Sequence, residues 1–138
     1  MNGPSVTARG PQVAVAWFTK LRGEKAQVSL TFSTDGGTTY GLPFVVDESE
    51  PIGRPDVEFL ADGSVVVVWI ATVDGAAALR ARRFFPGGSS QAAITVAEVD
   101  PSRGSGFPTL AAVGDGALVT WTDTEGEGRV RAVVLELE

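Results

Sequence analysis

The chain has 138 residues, 43% of them apolar and 20% charged, with 17 Gly, 8 Pro and a formal net charge of −6 at pH 7. That length and balance suit one domain of short strands and tight turns and exclude a disordered chain. The acidic surplus argues against nucleic acid, whose phosphates need a cationic face, and the lack of both His and Cys excludes thiolate chemistry, Ser–His–Asp triads and the common zinc sites.

From the N-terminus, "MNGPSVTARG" has no basic-then-apolar leader. It opens the first of three similar units. These read "GPSVTARGPQVAVAWF", "RPDVEFLADGSVVVVWI" and "FPTLAAVGDGALVTWT". Pro4, Pro55 and Pro108 open them, Gly10, Gly63 and Gly116 mark a turn, and Trp17, Trp69 and Trp121 close the second strand, each 52 residues apart. Period-two alternation of β-branched residues in "QVAVAWF" and "VRAVVLEL" points to strands rather than helices. In the "DG" pairs Asp62–Gly63 and Asp115–Gly116, Gly is expected to supply the positive φ of a hairpin turn.

After each Trp strand come a polar turn ("TKLRGEKA", "TVDGAA", "DTEGEG") and a third strand ("QVSLTFS", "ALRARRF", "RVRAVVLEL"). The first two units add a Gly-rich turn and a fourth strand, "LPFVV" and "AAITVAEV". Four-stranded units of about 45–50 residues have the size of propeller blades. The expected fold is therefore all-β, with three antiparallel blades at about 3–52, 53–103 and 104–138, the last one incomplete.

The longest apolar run, Val65–Ala71, is too short to span a bilayer, so no membrane partner is expected. "RARR", Arg80 to Arg83, is the only concentration of positive charge; alternation sends Arg80 and Arg82 to one face and Ala81 and Arg83 to the other, and the segment reads as a solvated edge. "DTEGEG", Asp123 to Gly128, lacks the acidic residue that a calcium loop needs six positions past its Gly and reads as a solvated turn. No metal and no cofactor are expected.

The turn "STDGGTTY" of the first unit reads Ser33-x-Asp35-x-Gly37-x-Thr39-Tyr40. It resembles the Asp box, or bacterial neuraminidase repeat, of the sialidase superfamily, S-x-D-x-G-x-T-W, with Tyr40 in place of the usual Trp. The resemblance implies that these five residues are structural and staple a hairpin on the face away from any active site. The Asp35 carboxylate would accept backbone N–H bonds, and Tyr40 would pack over the turn. The second unit's "FPGGSSQA" keeps the glycines without the Asp. The resemblance also implies an extracytoplasmic or secreted setting.

Sialidases use a Tyr nucleophile with a Glu partner, an Asp acid/base and three substrate-holding Arg. Here the single Tyr belongs to the Asp-box-like turn, and "IGRPDV", Ile52 to Val57, only partly echoes the arginine segment. The chain therefore reads as a non-catalytic, sialidase-like propeller module that serves as a scaffold or binds a glycan or a protein. The alternative is a fragment of an exo-sialidase-like glycoside hydrolase whose catalytic residues lie outside it. Three blades leave two apolar faces bare, so the expected partner is a second copy, giving a six-bladed ring, or the remainder of a longer propeller. At the mouth of such a ring the strand junctions would bring together Glu50, Arg54, Asp56 and Arg103 as candidate ligand-binding residues, suited to carboxylate or sulfate groups. Asp47, Glu48, Glu50 and Asp56 are the candidates for a carboxylate pair.

Overall fold

The computed structural model describes residues 3–100, 107–123 and 128–136. Among them are eleven strands and no helix. The first sheet contains β1 (Ser5–Arg9), β2 (Gln12–Thr19), β3 (Gln27–Ser33) and β4 (Phe44–Asp47) in that order. The second contains β5 (Pro51–Phe59), β6 (Val65–Val73), β7 (Ala76–Phe84) and β8 (Ile94–Glu98), again in order. The third contains β9 (Thr109–Val113), β10 (Gly116–Asp123) and β11 (Arg129–Leu135), with β10 between its neighbours. Every pairing is antiparallel and joins strands adjacent in sequence, so each sheet is a meander of the kind the repeated units predict.

The sheets stack with the second in the middle, and β6 explains why. Its residues Val65, Val67, Trp69 and Ala71 pack against Ala14, Ala16, Val28 and Leu30 of the first sheet. Its alternate residues Val66, Val68 and Ile70 pack against Leu110, Ala117, Val119 and Trp121 of the third. A strand buried on both faces needs apolar side chains at every position, whereas a half-buried one alternates. That is why the second unit has an unbroken "VVVVWIA" where the first has "VAVAWFT".

Two of the three tryptophans take part in this stacking, in the same sense. Trp69 faces the first sheet and Trp121 faces the second. Polar bonds reinforce the contacts. The Trp69 indole N–H donates to Asp47 at the end of β4 (2.8 Å), and the Arg82 guanidinium donates to the carbonyl of Val46 (2.9 Å). Near the inner strands, Ser5 donates to the Asp56 carboxylate, Thr7 to Glu58, and Arg9 to the carbonyls of Leu60 and Ala61.

Two details differ from expectation. Arg80–Arg83 divides between two faces as alternation requires, with Arg82 opposite Val67 and Arg83 opposite Val66. Arg82 and Arg83 are nevertheless no solvated edge. Arg82 also donates to the Gln91 carbonyl and the Ser90 hydroxyl and lies over the Phe84 ring; Arg83 pairs with Asp62 and donates to Ser64. Their aliphatic stems cover the sheet while the charged ends find acceptors. In the third hairpin the positive-φ glycine is Gly114 (54°) and not Gly116, which lies within β10. A Cβ at Gly116 would stand 2.8 Å from the Leu135 carbonyl oxygen, so this glycine is required by a close approach of two strands.

Candidate functional site

Meander order places the β2–β3 turn, the β4–β5 junction and the β6–β7 turn at one end of the stack. There a cleft of about 610 Å³ opens between the first and second sheets, lined by Lys20, Glu24, Lys25, Glu48, Glu50 and Thr72 among others. The backbone is pinned where the Thr72 N–H donates to the Glu50 carbonyl, 3.0 Å away. Two ammonium groups and three carboxylates border the opening, a mixture of donors and acceptors that suits a hydroxyl-rich or zwitterionic ligand better than a simple anion.

The junction itself is strained. Glu50 (φ 69°) and Arg54 (φ 55°) both occupy the left-handed region, and the β5–β6 register slips between Pro51 and Gly53 and again between Gly53 and Asp56. Such conformations cost on the order of 1–3 kcal/mol per residue and persist where surrounding contacts over-determine them. The irregularity redirects Arg54 out of the ladder so that its guanidinium lies 5.6 Å from the centre of the Phe107 ring, within cation–π range.

The three sequence-predicted ligand residues that are described, Glu50, Arg54 and Asp56, therefore meet different surroundings. Glu50 lines the cleft, while Arg54 stacks on Phe107 outside it. Asp56 turns inward. One carboxylate oxygen accepts from Ser5 and the other from the backbone N–H of Leu110 (2.8 Å), so this residue ties the inner strands of all three sheets. Arg103 lies outside the described residues, as do most of the residues of the "DTEGEG" turn. Asp47 is similarly occupied, accepting from Trp69 and from Ser49. Two of the four candidates for a carboxylate pair thus hold the sheets together. The residues that sequence reasoning missed are Glu24, Lys25 and Thr72. The signal for the first two was the dense charge of "TKLRGEKA" in a turn at the same end as the β4–β5 junction.

At the opposite end, the β3–β4 turn is a closed network of local bonds. Asp35 accepts from the Thr39 hydroxyl (2.5 Å), the Thr39 N–H (2.9 Å) and the Ser33 hydroxyl (2.8 Å). The Ser33 oxygen in turn accepts from the Gly37 N–H at 2.9 Å. The Thr39 hydroxyl foremost, then its N–H and Ser33, hold the Asp35 carboxyl down to a pKa of about 2. The Gly36 N–H donates to the carbonyl of Pro11, joining this turn to the β1–β2 turn. Gly37 has φ 91°, and a Cβ there would meet the Tyr40 hydroxyl at 3.1 Å, so the ring folds back over the turn.

No protein family and no curated protein matches the chain. Among the described residues, no three Asp or Glu side chains gather closely enough to hold a metal ion.

Proposed function

We propose that the chain is a non-catalytic, sialidase-like propeller module that associates with a second copy to close a six-bladed ring and serves as a scaffold or a binding surface for a glycan or a protein. The observation that carries this reading is the side-by-side stacking of three meander sheets that all present their Trp in the same direction, with further apolar side chains exposed on the two outermost faces. The bond network of Ser33, Asp35, Gly37 and Thr39 supports the Asp-box resemblance, because each side chain has the local, turn-closing role such a motif requires. The ligand would be met at the junction end, where the cleft bordered by Lys20, Lys25 and Glu50 offers polar groups.

Light scattering of the purified chain at micromolar concentration, combined with a glycan array and a fluorogenic sialoside, tests this reading. A mass twice the 14.3 kDa of one chain is expected, with array signals lost on Lys20→Ala with Lys25→Ala and no sialoside release. A monomer would overturn the assembly. Sialoside release would replace the module by its alternative, a hydrolase fragment.

A further inference from the structure

The outward face of the first sheet repeats, position for position, the face through which the other two sheets dock. Val13, Val15 and Trp17 stand 52 positions before Val65, Val67 and Trp69, and those stand 52 before Ala117, Val119 and Trp121. In the second and third sheets these triplets are buried against the preceding sheet. In the first sheet, pairing registers place Val6 opposite Val15 and Val45 opposite Ser29, on the side of Trp17 and away from the Ala14–Ala16–Leu30 core. Val6 is 65% exposed there and Val45 43%, while Val13, Ser29 and Thr31 on the same side are buried within the chain itself. The Trp69 indole N–H has Asp47 of the preceding sheet as acceptor, whereas that of Trp17 meets no acceptor among the described residues.

The third sheet bears the complementary uncovered face. Leu118 stands 52 positions after Val66, which packs against the third sheet, so it points away from the Ala117–Val119–Trp121 core. Val130 and Val134 pair with Thr122 and Leu118 on that same side. Val134 is 57% exposed and Val130 is 76%. Among the described residues there is thus one docking face of each kind without a partner sheet, and the same two kinds of face already join twice. Exposed apolar side chains grouped on one face are a mark of interaction surfaces.

Resting on the self-association proposed above, we infer that the occupant of the Trp17 face is the Leu118–Val134 face of a second copy. The contact is heterologous, head to tail, and is made twice in a closed two-copy ring. It continues the internal stacking direction instead of setting two identical faces against each other. The inner strands extend the same succession. β5 lies between β1 and β9, with Asp56 bonded to Ser5 on one side and to Leu110 on the other, so β9 of one copy comes beside β1 of the next.

The test measures dimer dissociation by light scattering and sedimentation for three surface variants: Val6→Glu on the Trp17 face, Val134→Glu on the other, and Leu42→Glu, 89% exposed and outside all strands, as control. Val6 and Val134 are exposed in the single chain, so both variants keep its fold, checked by circular dichroism. Val6→Glu and Val134→Glu are each expected to raise the dissociation constant at least tenfold, with Leu42→Glu unchanged. A dimer that survives both variants overturns the face pairing and leaves self-association standing. Dissociation by only one of them shows an isologous contact and also overturns it. An unvaried chain that is monomeric overturns both this inference and the reading beneath it, and open polymers larger than a dimer overturn the closed ring.

Discussion

Trp69 in β6 donates its indole N–H to the carboxylate of Asp47, 2.8 Å away at the end of β4, and so ties the second sheet to the first through a charge-assisted bond. Trp69 is fully buried, which places the bond beside a close-packed core. Hydrogen bonds to charged groups contribute roughly 1.5–3 kcal/mol. Trp69→Phe removes the donor, shrinks the ring and leaves one acceptor site of Asp47 empty, so urea unfolding should show a loss of about 2–4 kcal/mol. Asp47→Asn keeps an acceptor and should lose about 1 kcal/mol. The two changes should be non-additive in a double-mutant cycle. Strict additivity would mean that the bond is not formed in solution.

The stacking of sheets predicts a contrast between two large side chains. Phe84 is 2% exposed, with its ring tilted against Phe44 and beneath the Arg82 guanidinium. Phe84→Ala should cost about 3–5 kcal/mol, the usual result of emptying an aromatic site in a core. Leu42→Ala, on a residue in open solvent, should change stability by less than about 0.5 kcal/mol. Chemical unfolding midpoints distinguish them, and equal losses would refute the stacked core.

The repeated sheets were legible in the sequence because they rest on local rules: alternation in β2, turn chemistry at Asp62–Gly63, and the regular spacing of Trp17, Trp69 and Trp121. The bonds between sheets were not. Asp47 and Asp56 read as candidate ligand or catalytic carboxylates because their partners, Trp69, Ser5 and Leu110, lie 22 to 54 positions away. Arg82 reads as solvated for the same reason, since the Val46 carbonyl it binds belongs to another sheet, while Arg83 meets Asp62 and Ser64 at the β5–β6 turn of its own sheet. Composition identifies which residues carry charge, while packing within a sheet and between sheets decides which acceptors they meet.

The turn at Asp35 carries a pH prediction. Its carboxyl is held at about 2 in the folded chain against an ordinary 3.8, so the folded form releases its proton more readily than the unfolded one. The stabilisation is therefore complete above about pH 4 and is lost as the pH falls through the interval from 3.8 to 2. Asp62, lowered chiefly by the Ser64 hydroxyl and backbone N–H with Arg83 adding less, acts in the same sense. Thermal melts of the unvaried chain and of Asp35→Asn should differ most near neutral pH and converge towards pH 2. A gap that widens on acidification would contradict the sign.

The third hairpin separates two reasons for a glycine. Gly114 has φ 54° with open space where its Cβ would stand, so substitution there meets only backbone strain. Asn tolerates that conformation better than Ala does. Gly114→Ala should therefore cost about 1–2 kcal/mol and Gly114→Asn clearly less. Gly116 lies within β10, where the obstacle is the Leu135 backbone carbonyl at 2.8 Å. A neighbouring strand cannot withdraw as a flexible side chain can. Gly116→Ala should cost about 1–3 kcal/mol by overpacking, and Gly116→Asn should be at least as damaging. The opposite order of Ala and Asn at the two positions, read from urea midpoints, is the diagnostic result. If Asn rescued position 116 as well, the obstacle there would be backbone strain and the close approach of β10 and β11 would be wrong.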